Sequence, residues 1–525
     1  MFSHNVKRII KYGIVGSVSV GTVLSLQSNN YDINSIGVIR LGRAAMTVFD
    51  ISLNYQKNLY SRKLDKASKE YADLKSLCHK QAAEKLLNLC CTNKGVYIKV
   101  GQHLAALDYL LPHEFVKTMR VLHSHAPATN LEDVQKVIRE ELGKKADEIF
   151  VSIDPEPVGT ASLAQVHRAT LHDGTIVAVK VQHPYVKGNS KVDMRTMEIL
   201  VKLVSFIFPD FKFQWLVNET KKNLPQELDF TQEGRNAERL AAMYTKKCDW
   251  LKIPSIMWDL TTPRVLTMEY VDGGQVNDVQ YIRQQGINPH EVSDKLGALY
   301  SDMIFTDGFV HSDPHPGNIL VRKSPLTGQC DIVLLDHGLY AELSREFRTE
   351  YAKLWLSILN VDRSAMRSQC TKLGIKPEMY GLFTCMLTGR SWDAVLAGVD
   401  RSGKIGKREK AVMRKELPNV LPQISGILDT VDRQMLLVLK TNDLLRGIEY
   451  SLGTYNKMSS FKVMSHRCIR TVYRERIRTA KGATRRFAVA VAQYWALFKF
   501  TLYYTVMNIL SNRSNGQTSQ QISNS

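Results

Sequence analysis

At 525 residues the chain is too long for one core, so a main domain of two lobes with appended segments is expected. With 44% hydrophobic and 23% charged residues, a largely disordered chain is excluded. A formal charge of +19 calls for an anionic partner and leaves nucleic acid, phospholipid surfaces and nucleotide phosphates open.

Residues 1–31 hold Lys7, Arg8 and Lys11, several serines and no acid, with an apolar run from Tyr12 to Leu26. That composition resembles a mitochondrial targeting or inner-membrane anchoring segment. The run is short for a bilayer span, which needs roughly twenty residues. From Leu53 to Leu111 the pattern is helical and charged, with Leu86, Leu87 and Leu89 at bundle-like spacing, and Pro112 ends it. A second helical stretch covers Leu131 to Ile149. The period then changes: Ser162 to Leu171 alternates, His172-Asp173-Gly174-Thr175 turns, and Ile176 to Val181 is β-branched, which predicts a hairpin.

Met194 to Phe208 is an amphipathic helix by pattern, and Val265 to Tyr270 an apolar strand closing at Asp272-Gly273-Gly274. Val292, Leu296, Leu299 and Met303 mark one face of a helix that leads to Phe309-Val310. Ser344 to about Tyr455 is expected to be helical. Between Phe461 and Arg486 lie nine basic residues against the single acid Glu475, followed by an aromatic apolar stretch, Phe487 to Leu510. This suits an anionic membrane surface or a span containing Lys499; the alternative is a C-terminal helix packed on its own domain. Ser511 to Ser525 is polar and expected to be disordered. The eight cysteines show no CxxC or finger spacing, against a zinc module or a disulfide framework.

The chemistry concentrates in His311-Ser-Asp-Pro-His-Pro-Gly-Asn318. Ile319 to Val321 and Asp331 to Leu335 are predicted to pair antiparallel, which brings Asn318 and Asp336 to one point. Hard oxygen donors so placed suit Mg²⁺, with substrate phosphates completing the shell. Asp313 sits where a carboxylate could accept or orient a hydroxyl proton. Aspartate, asparagine five later and Asp336-His-Gly338 after a hairpin match phosphoryl-transfer enzymes. A transition-metal site on His311, Asp313 and His315 is the less favoured alternative. Upstream, Lys180 of Val-Ala-Val-Lys supplies the cation such a site needs. The loop Pro157 to His167 is rich in small residues that let backbone amides approach phosphates, although it lacks GxGxxG.

In combination these motifs resemble the UbiB or aarF-domain (ADCK) atypical kinases over roughly Lys94 to Tyr450. Lys99-Val-Gly-Gln102 and Glu227-Leu-Asp229 are further motifs of that family. The resemblance implies an α+β, protein-kinase-like two-lobe fold. Residues 1–31 would target or anchor, 32–127 form the helical extension, 128–270 the N-lobe, 271–455 the C-lobe and 456–525 a membrane-associating tail. It implies that Lys99 and Gln102 contact Glu227 and Asp229 and cover the place where a protein substrate would dock. Lys180 is similar to the kinase lysine and Glu233 to its helix partner. Asp313 matches the catalytic position, Asn318 and Asp336 the metal ligands. Gly159, Thr160, Ala161 and Ser162 occupy the alanine-rich loop, and Glu269 and Tyr270 the adenine hinge.

ATP and Mg²⁺ are the implied cofactors. A mitochondrial ATPase or small-molecule phosphotransferase of lipid or isoprenoid metabolism is the implied activity, with an anionic membrane as partner. A nucleotide-gated scaffold without phosphotransfer is the alternative. A nucleic-acid partner is not expected, because no finger, helix-turn-helix or RNA-binding pattern appears. Departures from the family are Gly159 and Thr160 where alanines are common, and His337 in place of the aromatic of Asp-Phe-Gly.

Overall fold

A computed structural model describes residues 36–62, 65, 68–105, 111–124, 128–207, 214–325, 327–398, 420, 423–424, 426–427, 430–454 and 459–523. The targeting segment expected over residues 1–31 therefore lies outside the described residues. The chain divides into two compact units, Met1–Arg239 with Pro254–Val271, and Leu240–Ile253 with Asp272–Ser525.

The first unit opens with α1 (Gly37–Tyr55), α2 (Lys69–Asn93), α3 (Val96–Ala105), α4 (His113–Met119) and α5 (Leu131–Leu142). The helical run expected from Leu53 is broken at Lys94 and Gly95, both at positive φ. Such a pair turns the chain sharply, and glycine makes it affordable at the second position. Ser68 caps α2 and Asn130 caps α5, each accepting from a backbone N–H three residues on. A sheet follows: β1 (Phe150–Ile153), β2 (Gly159–Thr160), β3 (Ala164–Leu171) and β4 (Ile176–Gln182). After it come α6 (Pro184–Ile207), α7 (Gln214–Glu227) and α8 (Phe230–Tyr244). Strand β5 (Leu251–Lys252) belongs to the second unit, and β6 (Val265–Glu269) returns to the first.

The sheet runs β1-β3-β4-β6, all antiparallel, with β2 paired to β3. The predicted hairpin is present, with Leu171 bonded across Gly174 and Thr175. Helix α6 starts ten residues before the expected Met194, at a proline whose fixed φ suits a first helical position. Val177, Val179, Val181 and Val265 form one core with α5, while Ala164, Ala178, Leu266 and Met268 pack with Phe230 on the other face. Period-2 alternation thus buries both faces of the central strands. A third core joins α2, α3, α4, α6 and α7 through Cys90, Tyr97, Ile98, Met119, Val186 and Leu224.

The second unit contains β7 (Gly274–Gln275), α9 (Pro289–Ser301), β8 (Phe309–His311), β9 (Ile319–Lys323), β10 (Cys330–Leu334) and β11 (Tyr340–Glu342). The predicted face is buried at Val292, Leu296 and Leu299 of α9 and at Met303 in the turn that continues it. A four-stranded sheet has the order β5-β10-β9-β7, and β8 pairs with β11. Strands β9 and β10 are antiparallel, with Ile319 opposite Leu334 as predicted. Among the described residues that follow are the helices α10 (Arg345–Leu359), α11 (Arg363–Lys372), α12 (Tyr380–Thr388), α13 (Arg433–Leu452), α14 (Ser459–Thr479) and α15 (Ala483–Ser523). One expectation is overturned at the end, because Ser511 to Ser523 is helical rather than disordered. Propagating an existing helix costs far less than nucleating one, and no proline interrupts it.

Candidate functional site

In the first unit β4 delivers Lys180 and α8 delivers Glu233. The ammonium donates to both carboxylate oxygens at 2.7 and 2.9 Å and lies 5.1 Å from the centre of the Phe230 ring. Their side chains are 12% and 3% exposed, so the pair is held in low dielectric and fixes the lysine's position.

The small-residue loop is the tip of the β2–β3 hairpin. Gly159 pairs with Val166 and Thr160 with Gln165, Ala161 N–H donates to the Ala164 carbonyl, and Ser162 is buried. Gly159 has open space where a Cβ would stand, so its fold does not demand glycine. Gln165 and His167 are structural: Gln165 exchanges two hydrogen bonds with the Thr129 backbone and donates to His167, which donates to the Asp154 carbonyl. At the end of β6, Glu269 accepts from the Ser255 N–H and hydroxyl, and the Tyr270 ring sits under Arg168.

His183, which the sequence did not single out, anchors the loop. It donates through Nε2 to the Ala161 carbonyl at 3.0 Å and accepts through Nδ1 from Thr129 at 2.7 Å. Burial pushes its pKa down to about 4. The unfolded chain takes up this proton near 6.5 and the folded chain only near 4, so acid favours unfolding. This contribution to stability is intact above about pH 6.5 and is lost as pH falls toward 4, by about 3 kcal/mol. Thermal melts across that range should flatten in His183→Gln relative to the parent; parallel profiles would contradict the assignment.

Lys99 on α3 pairs with Glu227 on α7 at 2.7 Å, at 15% and 10% exposure. Glu227 is therefore no ordinary solvated helix residue. Two expectations need correction. Gln102 donates to the Leu122 carbonyl at 2.9 Å, and Asp229 accepts from the N–H and hydroxyl of Thr231 at the start of α8. The lysine alone among these carries the expected contact; the glutamine's short reach along its own helix face meets Leu122 first. A Cβ on Gly101 would stand 2.3 Å from Leu122 Cδ1 and 3.3 Å from Cys90 Sγ. Gly101→Ala should cost about 1–3 kcal/mol in urea unfolding. An unchanged midpoint would show that Leu122 simply moves aside.

In the second unit the loop after β8 is organised by buried rings. His311 donates through Nε2 to the Asp336 carbonyl at 2.6 Å and accepts from Tyr300 at 2.9 Å. Burial lowers its pKa, keeping the ring neutral. Both nitrogens are committed, which removes His311 as a metal ligand and with it the His311, Asp313, His315 triad. His315 Nδ1 accepts from the Gly317 N–H. His337 donates to the Leu334 carbonyl, accepts from Tyr340 and stacks on that ring. It therefore fills its buried position as a polar ring with satisfied nitrogens.

The Asn318 side-chain amide donates to the Asp313 carbonyl at 3.1 Å, and the Asn318 backbone carbonyl accepts from Leu335 N–H at 3.0 Å. Asp336 accepts from Gly338 N–H at 2.9 Å. Asn318 and Asp336 thus bracket the β9–β10 hairpin and present oxygen donors. Asp313 carries an ion pair that sequence reasoning missed: Lys440 of α13 at 3.0 Å, both about a quarter exposed. Its Nζ compensates the carboxylate charge.

The antiparallel sheet bearing a lysine–glutamate pair, and the Asp313, Asn318 and Asp336 loop set, define the class: a protein-kinase-like fold. The family model of the ABC1 atypical kinase-like domain matches residues 121–370. AarF domain-containing kinase 1 of Drosophila melanogaster is 54% identical over 507 residues, 96% of this chain and 97% of the relative. The Mus musculus AarF domain-containing protein kinase 1 is 49% identical, covering 93% and 92%. The chain therefore belongs to the ABC1/AarF atypical kinase-like family. The solved complex of Rv3197 with erythromycin from Mycobacterium tuberculosis is 22% identical, covering 74% of this chain and 100% of that one, at a TM-score of 0.42.

Proposed function

We propose that this protein binds ATP and uses it, with Mg²⁺, as an ATPase or as a phosphotransferase toward a small molecule or lipid. The observation that carries the proposal is the buried Lys180–Glu233 pair, which holds a cation ready for nucleotide phosphates. Lys180 binds and orients phosphates; the tip from Gly159 to Ser162 lets backbone amides approach them; Glu269 and Tyr270 meet the adenine. Asn318 and Asp336 fit Mg²⁺, because both offer hard oxygen donors and the Asn318 amide nitrogen is already turned toward the Asp313 carbonyl. When bound, the ion supplies charge neutralisation at the phosphates. Asp313 accepts or orients the acceptor's hydroxyl proton, and Lys440 steadies its carboxylate. The Lys99–Glu227 pair fixes the helical extension in place, which supports exclusion of protein substrates.

Resemblance to the family supports residence in mitochondria and a role in lipid homeostasis and inner-membrane (cristae) organisation, and the composition of residues 1–31 agrees with that residence. An anionic membrane is the proposed partner beside nucleotide. A second reading, a nucleotide-gated scaffold, is favoured by the Asp313–Lys440 pair, which occupies the carboxylate that chemistry would need. ATP hydrolysis by the purified full chain with Mg²⁺ separates the two. Turnover lost in Asp313→Asn supports the catalyst; nucleotide binding without Asp313-dependent turnover supports the scaffold.

A further inference from the structure

Among the described residues no helix is long and apolar enough to cross a membrane, yet α15 exposes the wrong face for a soluble helix. Phe487, Val491, Tyr494, Trp495, Phe498 and Leu502 are each between 51% and 75% exposed. Their spacing of four, three, one, three and four residues confines them to a sector of about 100°. The stripe is about 22 Å long at the rise of an α-helix. The opposite face meets α14 through Phe500, whose ring meets the His466 ring edge-on, and Thr501, at the margin of the stripe, bonds to the same ring. The helix therefore cannot bury its stripe by rolling, because its other side is already engaged. An apolar patch of this size on a folded surface marks an interaction site.

The charge around the stripe identifies what covers it. From Arg476 to the last residue there are seven basic residues and no Asp or Glu. Arg485 and Arg486 lie within one turn of Phe487, at the corner between α14 and α15, with Lys481 exposed beside them. Lys499 borders the stripe, its ammonium 5.8 Å from the Trp495 ring centre. A second copy of the chain would bring the same positive charge and repel. Tyr and Trp on the stripe are residues suited to the headgroup level of a bilayer, where one end of the ring is apolar and the other wet.

We propose that α15 is an interfacial helix that lies flat on an anionic phospholipid surface, with this stripe inserted at the acyl boundary and the basic corner on the headgroups. This deepens the membrane part of the proposed function and is independent of its catalytic part, since it needs no nucleotide. Asp313→Asn must bind vesicles as the parent does, so failure of catalysis and failure of docking are distinguishable.

The test uses the full chain and phosphatidylcholine vesicles with and without phosphatidylglycerol. Partition onto the anionic vesicles should fall at least about tenfold in the Phe487→Ser/Trp495→Ser/Phe498→Ser variant, with an unchanged melting temperature because these side chains are exposed. Residues 1–31 are expected to have membrane affinity of their own, so a local signal is required. Anionic vesicles should shift Trp495 emission to the blue, a component absent in Trp495→Phe. Equal partition of the triple variant, or bound protein whose Trp495 emission is unmoved, overturns the proposal. So does a parental dimer that the triple variant dissolves without any vesicle binding, which would assign the stripe to a second copy.

Discussion

Asp313→Asn should lower Mg²⁺-dependent ATP turnover by about a thousandfold while leaving nucleotide affinity within a few-fold of the parent. The substitution keeps the side chain's shape and its place beside Asn318, whose amide bonds to the residue 313 carbonyl rather than to the side chain. What it removes is the proton acceptor and the counter-charge of Lys440. Because that pair is about a quarter exposed at each end, breaking it should cost at most about 1 kcal/mol of stability. The rate loss would then be chemical, and not a consequence of unfolding.

Lys440 supplies the complementary control. Lys440→Met leaves the Asp313 carboxylate without its 3.0 Å cation and should lower turnover several-fold by loosening the carboxylate's placement. Lys440→Arg keeps the charge and should restore turnover. Turnover unchanged in Asp313→Asn would sink the catalytic assignment, and parental turnover in Lys440→Met would reduce Lys440 to a packing residue.

Local chemistry was the legible part of this protein. The β3–β4 hairpin announced itself through alternation and an Asp-Gly turn, and the β9–β10 pair through a Pro/Gly-bearing linker between two β-branched runs. Both place candidate site residues by register, so the positions of Lys180, Asn318 and Asp336 followed from the strands. Partners brought in by tertiary packing left no such trace. Lys440 lies more than a hundred residues beyond Asp313 on a helix whose sequence gives no sign of which carboxylate it meets. His183, through two hydrogen bonds, and Tyr300 and Tyr340, through one ring contact each, act through bonds that only the fold creates. The contact of Glu227 with Lys99 was implied by the family resemblance alone, because the two residues come from separate helices and no local pattern links them. The break at Lys94-Gly95 had only a glycine to mark it, and the proline that starts α6 was a signal available in the sequence but outweighed by the later apolar periodicity.

Glu233→Ala should be the most destabilising single change considered, at about 3–5 kcal/mol, because it leaves Lys180 charged, 12% exposed and against Phe230 without its carboxylate. Lys180→Met should cost a similar amount by stranding Glu233, which is 3% exposed. The double variant Lys180→Met/Glu233→Leu replaces a buried pair with apolar volume, and such exchanges are often neutral. It should therefore recover most of the stability in urea unfolding, as a double-mutant cycle with a large coupling term. Nucleotide affinity should not recover with it: titration calorimetry should show at least about tenfold weaker ATP binding in every variant that lacks Lys180. Stability and binding then part company in one protein, which separates a pair kept for its fold from a pair kept for its ligand. ATP bound at parental strength by the stable double variant would assign the phosphates to another cation and leave Lys180 a structural role alone.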